Sequence, residues 1–239
     1  QGVPAAINAG DYLLGLGYRL IASLPGVSGD TVRDLVTILS DAHVRLARGQ
    51  GAELCWRDGA HKRLGVRDAL EIYALKTSPA FEAAIAMGVR LAGVAPRAAG
   101  DIAAFARHCG TGFQILNDLK DWRGDLENDR RVAGDVLGGR PTVMWSLALE
   151  RLSAADADRL AGLARKAGRA EAGEDEVRAS VAEARTLYAA AGVVERAVGI
   201  VAEQRRLAAA AAAGCLEPRF REVLEFMLDL AVPEAASGE

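Results

Sequence analysis

The sequence is poor in the features that mark several large classes of protein. Aromatic residues make up only 5% of its 239 positions, and its only cysteines are Cys55, Cys109 and Cys215. These cysteines lie far apart and outside any C-x-x-C pattern, which is typical of reduced thiols and not of a disulfide framework. The formal net charge is only −3, so bulk charge gives no indication of nucleic-acid binding.

Long uninterrupted apolar runs are also missing. The most apolar stretch, around residues 13–24, is broken by Arg19 and by glycines, and Asp11 lies just before it. A membrane-spanning helix needs about 20 predominantly apolar residues, so no membrane span is predicted. No basic start followed by an apolar run and a small-residue cleavage site is present either. Together with the cysteine usage, this predicts a cytoplasmic protein.

What the chain has in abundance is helical periodicity. Apolar residues recur every three or four positions through most of the sequence, and no stretch alternates with the period of two that marks a strand. We therefore predict an all-α, single-domain helical bundle over residues 1–232, with a flexible tail at 233–239. Caps are predicted at Asp30, at Asp101 and in the Ser153–Asp156 capping box, and Pro79 is expected to bend a helix. The predicted helices cover about residues 5–24, 30–47, 66–91, 101–122, 142–152, 156–163, 176–190, 194–213 and 218–230.

The most informative segment is Gly112–Trp122, which carries the acidic motif (Gln114, Asn117, Asp118 and Asp121). On a helix these four residues share one face. Magnesium prefers oxygen ligands, often one or two carboxylates completed by water and phosphate oxygens. The motif therefore favours a magnesium site, and a solvated acidic face is the alternative.

Two further polar pairs lie where a purely structural helix does not need them. Gln50 and Glu53 follow Gly49 at a predicted helix end, where an ordinary glycine terminator with a surface Glu is the alternative. Lys76 and Thr77 lie among apolar residues. Lys76 could simply extend its ammonium group to the surface, but Pro79 removes a backbone donor and would free carbonyl groups nearby.

Arginine is concentrated in the long, glycine-rich segment after the acidic motif. Arg130, Arg131 and Arg140 all lie between residues 123 and 140. Arginine pairs well with phosphate oxygens, so this segment suits closure over phosphates held by metal ions.

In this order the motifs resemble the trans-isoprenyl diphosphate synthase (polyprenyl synthetase) family. Gly2–Pro4 with Ala9–Leu14 is similar to the stretch after that family's first aspartate-rich motif. Gly49-Gln50 with Glu53 resembles its G-Q-x-x-D element, and Lys76-Thr77 resembles its K-T pair. Two longer elements complete the match: residues 113–121 resemble F-Q-x-x-D-D-x-x-D, and residues 134–142 resemble G-x-D-L-x-x-G-K-x-T with Arg140 in place of Lys.

The resemblance implies a homodimeric, magnesium-dependent prenyltransferase whose site is a central cavity between helices. Its substrates would be an allylic diphosphate and isopentenyl diphosphate. By resemblance, Lys76, Thr77 and Gln114 would be the catalytic group, and Thr77 would lie at a helix kink. The substrate-binding residues would be Gln50, Lys76, Gln114, Arg130 and Arg140, and the metal ligands would be Asn117, Asp118 and Asp121.

Two departures from the family pattern leave alternatives open. The family's first D-D-x-x-D motif is not present, and the sequence is expected to start just beyond it. Asn117 stands where the family has Asp, so one oxygen ligand carries no charge. A class I terpene cyclase on the same fold and a non-catalytic regulatory subunit of a prenyl synthase are therefore the alternatives to a prenyltransferase.

Overall fold

A computed structural model describes residues 2–58, 64–93, 99–123, 140, 142–167, 169, 172–215 and 217–234. Within these ranges the chain forms helices and no strands, so the all-α prediction is confirmed. The division into one domain and a tail stays a prediction. The described helices are α1 (Val3–Ala22), α2 (Gly29–Asp58), α3 (Val66–Lys76), α4 (Ser78–Leu91), α5 (Ala99–Arg123), α6 (Val143–Leu149), α7 (Ala154–Ala167), α8 (Glu174–Ala190), α9 (Val193–Ala213) and α10 (Pro218–Ala231).

Two of the predicted helix caps, Asp30 and Asp101, are displaced. α2 begins at Gly29, and the Ser28 hydroxyl, not Asp30, accepts the Thr31 amide at 3.1 Å. α5 begins at Ala99, which puts Asp101 in its first turn, where a carboxylate favours the helix dipole. The Ser153 cap at the start of α7 is confirmed, because its hydroxyl accepts the Asp156 amide at 3.1 Å, and the same hydroxyl donates to the Asp156 carboxylate at 2.7 Å.

The bundle is built around α5. This helix packs against α3, α4, α6, α9 and α10, and its Phe105 and Ile115 are fully buried. α9 packs against it along much of its length, and Ala197, Ala208 and Ala212 of α9 are also fully buried. The central helix of the fold is thus the one that carries the acidic motif.

α1 lies at the edge of this arrangement and packs against α2. None of its twenty residues is buried, although Asp11 and Arg19 are its only charged residues. Six of its large apolar side chains are between 45% and 73% exposed: Val3, Ile7, Tyr12, Leu13, Leu14 and Leu20. No helix in the described part of the chain is long and apolar enough to cross a membrane.

Candidate active site

The candidate site starts at a break between two helices. α3 ends at Lys76, α4 begins at Ser78, and Thr77 between them has φ −128° and ψ −49°. Pro79 in the first turn of α4 explains the break, because it has no amide hydrogen to donate to the Leu75 carbonyl. The bend expected from Pro79 is therefore present as a full interruption of the helix, which we call the kink.

Glycines hold the kink on both sides. A Cβ atom built on Gly49 of α2 would lie 2.4 Å from the Lys76 amide nitrogen. A Cβ atom built on Gly110 of α5 would lie 2.7 Å from the Ser78 Cα. Real Cβ atoms do not approach other atoms so closely, so both helices can pack here only because these residues have no side chain. The alternative reading of Gly49 as an ordinary helix terminator is wrong, because α2 continues to Asp58.

Lys76 is paired on the side that faces α2. Its ammonium group donates to the Glu53 carboxylate, and the two side chains are 16% and 8% exposed. The Lys76 Nζ atom also lies 5.0 Å from the centroid of the Tyr73 ring, within the range of a cation–π contact. Lys76 therefore does not extend freely into solvent, and Glu53 is not a surface residue.

Thr77 faces the opposite helix, α5, and contacts the acidic motif. Its hydroxyl donates to the Gln114 Oε1 at 3.1 Å, and the Gln114 amide lies 3.4 Å from the Asp118 Oδ1. The structure thus brings together Thr77, Gln114 and Asp118, which come from two separate motifs.

A residue outside all the sequence motifs completes this group. The Tyr73 hydroxyl donates to the Asp118 Oδ2 and accepts the Val143 amide at 2.9 Å. Val143 opens α6 directly after Thr142, whose hydroxyl caps that helix by accepting the Trp145 amide at 3.0 Å. Tyr73 lies one helical turn before Lys76, but nothing in its local spacing indicates a contact with a carboxylate 45 positions later.

The carboxylates of the acidic motif are buried. Asp118 is 3% and Asp121 6% exposed, and Asn117 is half-buried. A solvated acidic face is therefore not what the structure shows. Buried carboxylates need paired donors or a cation, and those of Asp118 and Asp121 lie on residues one turn apart.

The donor set fits magnesium in part. Two carboxylates and one amide oxygen match the oxygen ligands that magnesium prefers, with water and phosphate oxygens completing the shell. Within the described residues no group of three or more His, Cys, Asp or Glu side chains forms a complete site. The protein would hold the ion only together with other oxygen donors, as phosphate-bound magnesium is usually held.

The remaining residues predicted to bind substrate are exposed or lie outside the described residues. Gln50 is exposed on α2, directly after the Gly49 contact, and Arg140 is exposed two residues before the Thr142 cap. Arg130 lies outside the described residues, as do Arg131 and residues 134–139. The roles of all these residues in binding stay predictions.

The end of α5 beyond the acidic motif is held by α8. The Trp122 and Tyr188 rings stack with their centroids 4.5 Å apart. Arg185 donates to the Trp122 carbonyl at 3.2 Å and lies 5.6 Å from the Trp122 ring centroid. These contacts fix the helix next to Asp121.

This all-helical bundle matches the all-α fold of isoprenyl synthases. The polyprenyl synthetase family model matches residues 1–183, and the chain belongs to this family.

Several known proteins are similar to the chain. The short chain isoprenyl diphosphate synthase of Methanothermobacter thermautotrophicus is 27% identical over 231 residues, which is 95% of this chain and 66% of that protein. The geranylgeranyl pyrophosphate synthetase structure from Pyrococcus horikoshii has a TM-score of 0.79 at 22% identity and shows the same fold. The match covers 97% of this chain and 67% of the Pyrococcus chain.

A third match includes ligands. The polyprenyl synthase structure from Caulobacter crescentus, complexed with calcium and isoprenyl diphosphate, is 27% identical with a TM-score of 0.75. The match covers 98% of this chain and 67% of the Caulobacter chain. The chain thus spans about two thirds of the length of these relatives.

Proposed function

We propose that the protein is a magnesium-dependent prenyltransferase that condenses an allylic diphosphate with isopentenyl diphosphate. One observation carries the proposal: Thr77 at the kink contacts Gln114, which contacts the buried carboxylate of Asp118. Side chains from two separate motifs therefore meet at one place, as a diphosphate site requires. The names of the relatives and the isoprenyl diphosphate bound by the Caulobacter protein support it.

The reaction needs positive charge where the diphosphate departs and a dry surface where the allylic cation forms. Asp118, Asp121 and Asn117 would hold magnesium, which when bound supplies positive charge against the diphosphate oxygens. Lys76 would exchange part of its contact with Glu53 for the diphosphate, and Gln50, Arg130 and Arg140 would bind the same group. The buried Phe105 and Ile115 show that α5 presents apolar side chains to the interior as well.

Carbon–carbon bond formation would then proceed in three steps. The bond between the allylic carbon and the diphosphate oxygen breaks and leaves an allylic cation, the isopentenyl double bond attacks this cation, and the departed diphosphate accepts the proton that is then lost. Thr77 and Gln114 would orient the leaving group. Because the Thr77 hydroxyl already donates to Gln114, the two side chains are preorganised for that task.

The test is incorporation of labelled isopentenyl diphosphate. The protein is incubated with magnesium and allylic primers of several lengths, and the products are separated by chain length. Magnesium-dependent elongation of a primer is the expected result. Absence of elongation with every primer would overturn the proposal.

Asn117 favours a second candidate, a non-catalytic subunit of a prenyl synthase. A neutral amide replaces a carboxylate at a position where the family has Asp, which lowers the charge available to hold a metal ion. A subunit of this kind would bind no diphosphate in the presence of magnesium. Calorimetric titration with an inert diphosphate analogue therefore separates the two candidates.

The protein is also proposed to form a homodimer through α1. The helix presents apolar side chains on surface that the rest of the described chain does not cover, and only Asp11 and Arg19 are charged. An apolar helix face is complementary to a second copy of itself, as a twofold interface requires.

A further inference from the structure

Among the described residues, the Tyr73 side chain forms hydrogen bonds both with the acidic motif and with the first residue of α6. It lies on α3 and is 1% exposed. Its hydroxyl donates to Asp118 on α5 and accepts the amide of Val143 at the start of α6. A phenol can both donate and accept a hydrogen bond, and the Tyr73 hydroxyl does both. It accepts from the Val143 amide and donates to the Asp118 carboxylate.

The hydroxyl connects parts of the molecule that have different tasks in the proposed function. α3 ends at Lys76, one turn beyond Tyr73, and α5 carries Asp118. α6 follows the segment that includes Arg140, and its start is fixed by the Thr142 cap. A displacement of any of these segments would therefore move the Tyr73 side chain and, through its hydroxyl, the Asp118 carboxylate.

Packing alone does not explain the hydroxyl. A phenylalanine would fill nearly the same volume, and the ring would keep its contact with the Lys76 ammonium group. What phenylalanine cannot do is orient a carboxylate. The Gln114 amide contacts the other oxygen of Asp118 at 3.4 Å, a long distance for such a bond, and the Tyr73 hydroxyl donates to the remaining oxygen.

We infer that Tyr73 is a positioning residue that fixes the orientation of the Asp118 carboxylate and links it to the start of α6. The inference rests on the proposed function, because Asp118 matters for diphosphate binding only if the site holds magnesium. Partners that orient a metal-binding side chain typically contribute 10–100-fold to metal affinity.

The experiment compares wild type with Tyr73→Phe in the full chain. Magnesium is titrated in the presence of an inert diphosphate analogue and followed by calorimetry. We expect the magnesium concentration at half-saturation to rise by about tenfold. In the metal-free protein, amide hydrogen exchange at Val143 should become faster, because that amide loses its acceptor.

Leu224→Ala is the matched control. Leu224 on α10 is fully buried, so its truncation destabilises the fold, and it belongs to neither the acidic motif nor the kink. We expect Leu224→Ala to lower the melting temperature but to leave the magnesium requirement unchanged. A general loss of stability would move both variants in the same way and would overturn the inference.

The outcomes distinguish the inference from the function it rests on. If wild type binds the analogue with magnesium and Tyr73→Phe needs the same magnesium concentration, the inference fails and the proposed function stands. If wild type binds no analogue at all, the proposed function fails and the inference fails with it. Should Tyr73→Phe not fold, Asp118→Ala gives the reciprocal test. The Val143 amide then keeps its acceptor, but the Tyr73 hydroxyl loses the carboxylate that orients it. Faster exchange at Val143 supports the link, and unchanged exchange overturns it.

Discussion

Gly49 and Lys76 are in backbone contact, and a Cβ atom on Gly49 would lie 2.4 Å from the Lys76 amide nitrogen. Gly49→Ala should therefore displace the kink. Overpacking of this kind typically costs about 1–3 kcal/mol in the free energy of unfolding, measured by chemical denaturation. Gly51→Ala is the control, because a Cβ atom there meets nothing within 4 Å. Alanine in the same helix should be neutral or stabilising by up to about 1 kcal/mol. Equal effects of the two substitutions would contradict the close approach.

The Glu53–Lys76 ion pair gives a second prediction. Because both side chains are largely buried, Lys76→Met leaves a buried carboxylate without its partner. Breaking a buried pair in this way costs on the order of 3–5 kcal/mol. Glu53→Leu combined with Lys76→Met should cost much less than the sum of the two single substitutions, as a double-mutant cycle of unfolding free energies will show. Additive effects would mean that the pair is not formed in solution.

Removing a carboxylate from the acidic motif should affect the proposed reaction strongly. Asp118→Ala or Asp121→Ala should each lower the rate by about two to three orders of magnitude, equivalent to roughly 3–4 kcal/mol, because a preorganised electrostatic partner is lost. Steady-state rates at saturating magnesium and substrate provide the measurement. Rates within a fewfold of wild type would remove these residues from the site.

Asn117→Asp tests the unusual amide in the motif. The substitution restores a negative charge with little change in shape, so it should lower the magnesium concentration needed for binding of an inert diphosphate analogue. Calorimetric titration of both proteins measures this concentration. An unchanged requirement would indicate that residue 117 is not a ligand, and absence of binding in both would favour the non-catalytic subunit.

The stability of the protein should depend on Cys109 in alkaline solution. Burial raises the pKa of this thiol from 9.0 to about 11. Below pH 9 the thiol is protonated in both the folded and the unfolded chain, so its contribution to stability is fully present. Between pH 9 and 11 the unfolded chain loses the proton first, and the folded state loses up to about 2–3 kcal/mol. The free energy of unfolding of Cys109→Ala should fall less than that of wild type over this pH range, as chemical denaturation at each pH will measure. Parallel plots of this free energy against pH for the two proteins would contradict the prediction.

The homodimer proposal is tested on α1. Leu13 is 65% exposed, and Leu13→Glu should convert a dimer into a monomer because it places charge in the apolar face. Sedimentation analysis measures the assembly. Leu230→Glu on α10 is the control, since Leu230 is 75% exposed on a different helix. A monomeric wild type, or dissociation by the control alone, would show that α1 is not the interface.

Helix content was predictable from the sequence because the apolar spacing is local. The predicted start of the last helix at Pro218 is correct, and its end differs from the observed one by a single residue. Pro79 likewise indicated the kink through a local steric rule. The two displaced caps have small causes, since the Ser28 hydroxyl accepts the Thr31 amide in place of Asp30 and α5 begins two residues before Asp101.

The contacts of the site were not predictable in the same way. Glu53 and Lys76 are 23 positions apart, and Tyr73 and Asp118 are 45 apart. Such pairs depend on how helices cross, and helix crossing depends on the whole core. The motifs placed Thr77 and Gln114 in one site through resemblance, whereas Tyr73 belongs to no motif. Whether the predicted residues bind metal and substrate stays a prediction.

The three cysteines differ in a way that has a practical consequence. Cys109 and Cys215 are buried, whereas Cys55 is exposed on α2, two residues beyond Glu53. A thiol-reactive fluorophore should therefore attach to the native protein at one position without any engineering. Because that position follows the partner of Lys76 along the same helix, the dye would report on rearrangement of the ion pair when a diphosphate arrives.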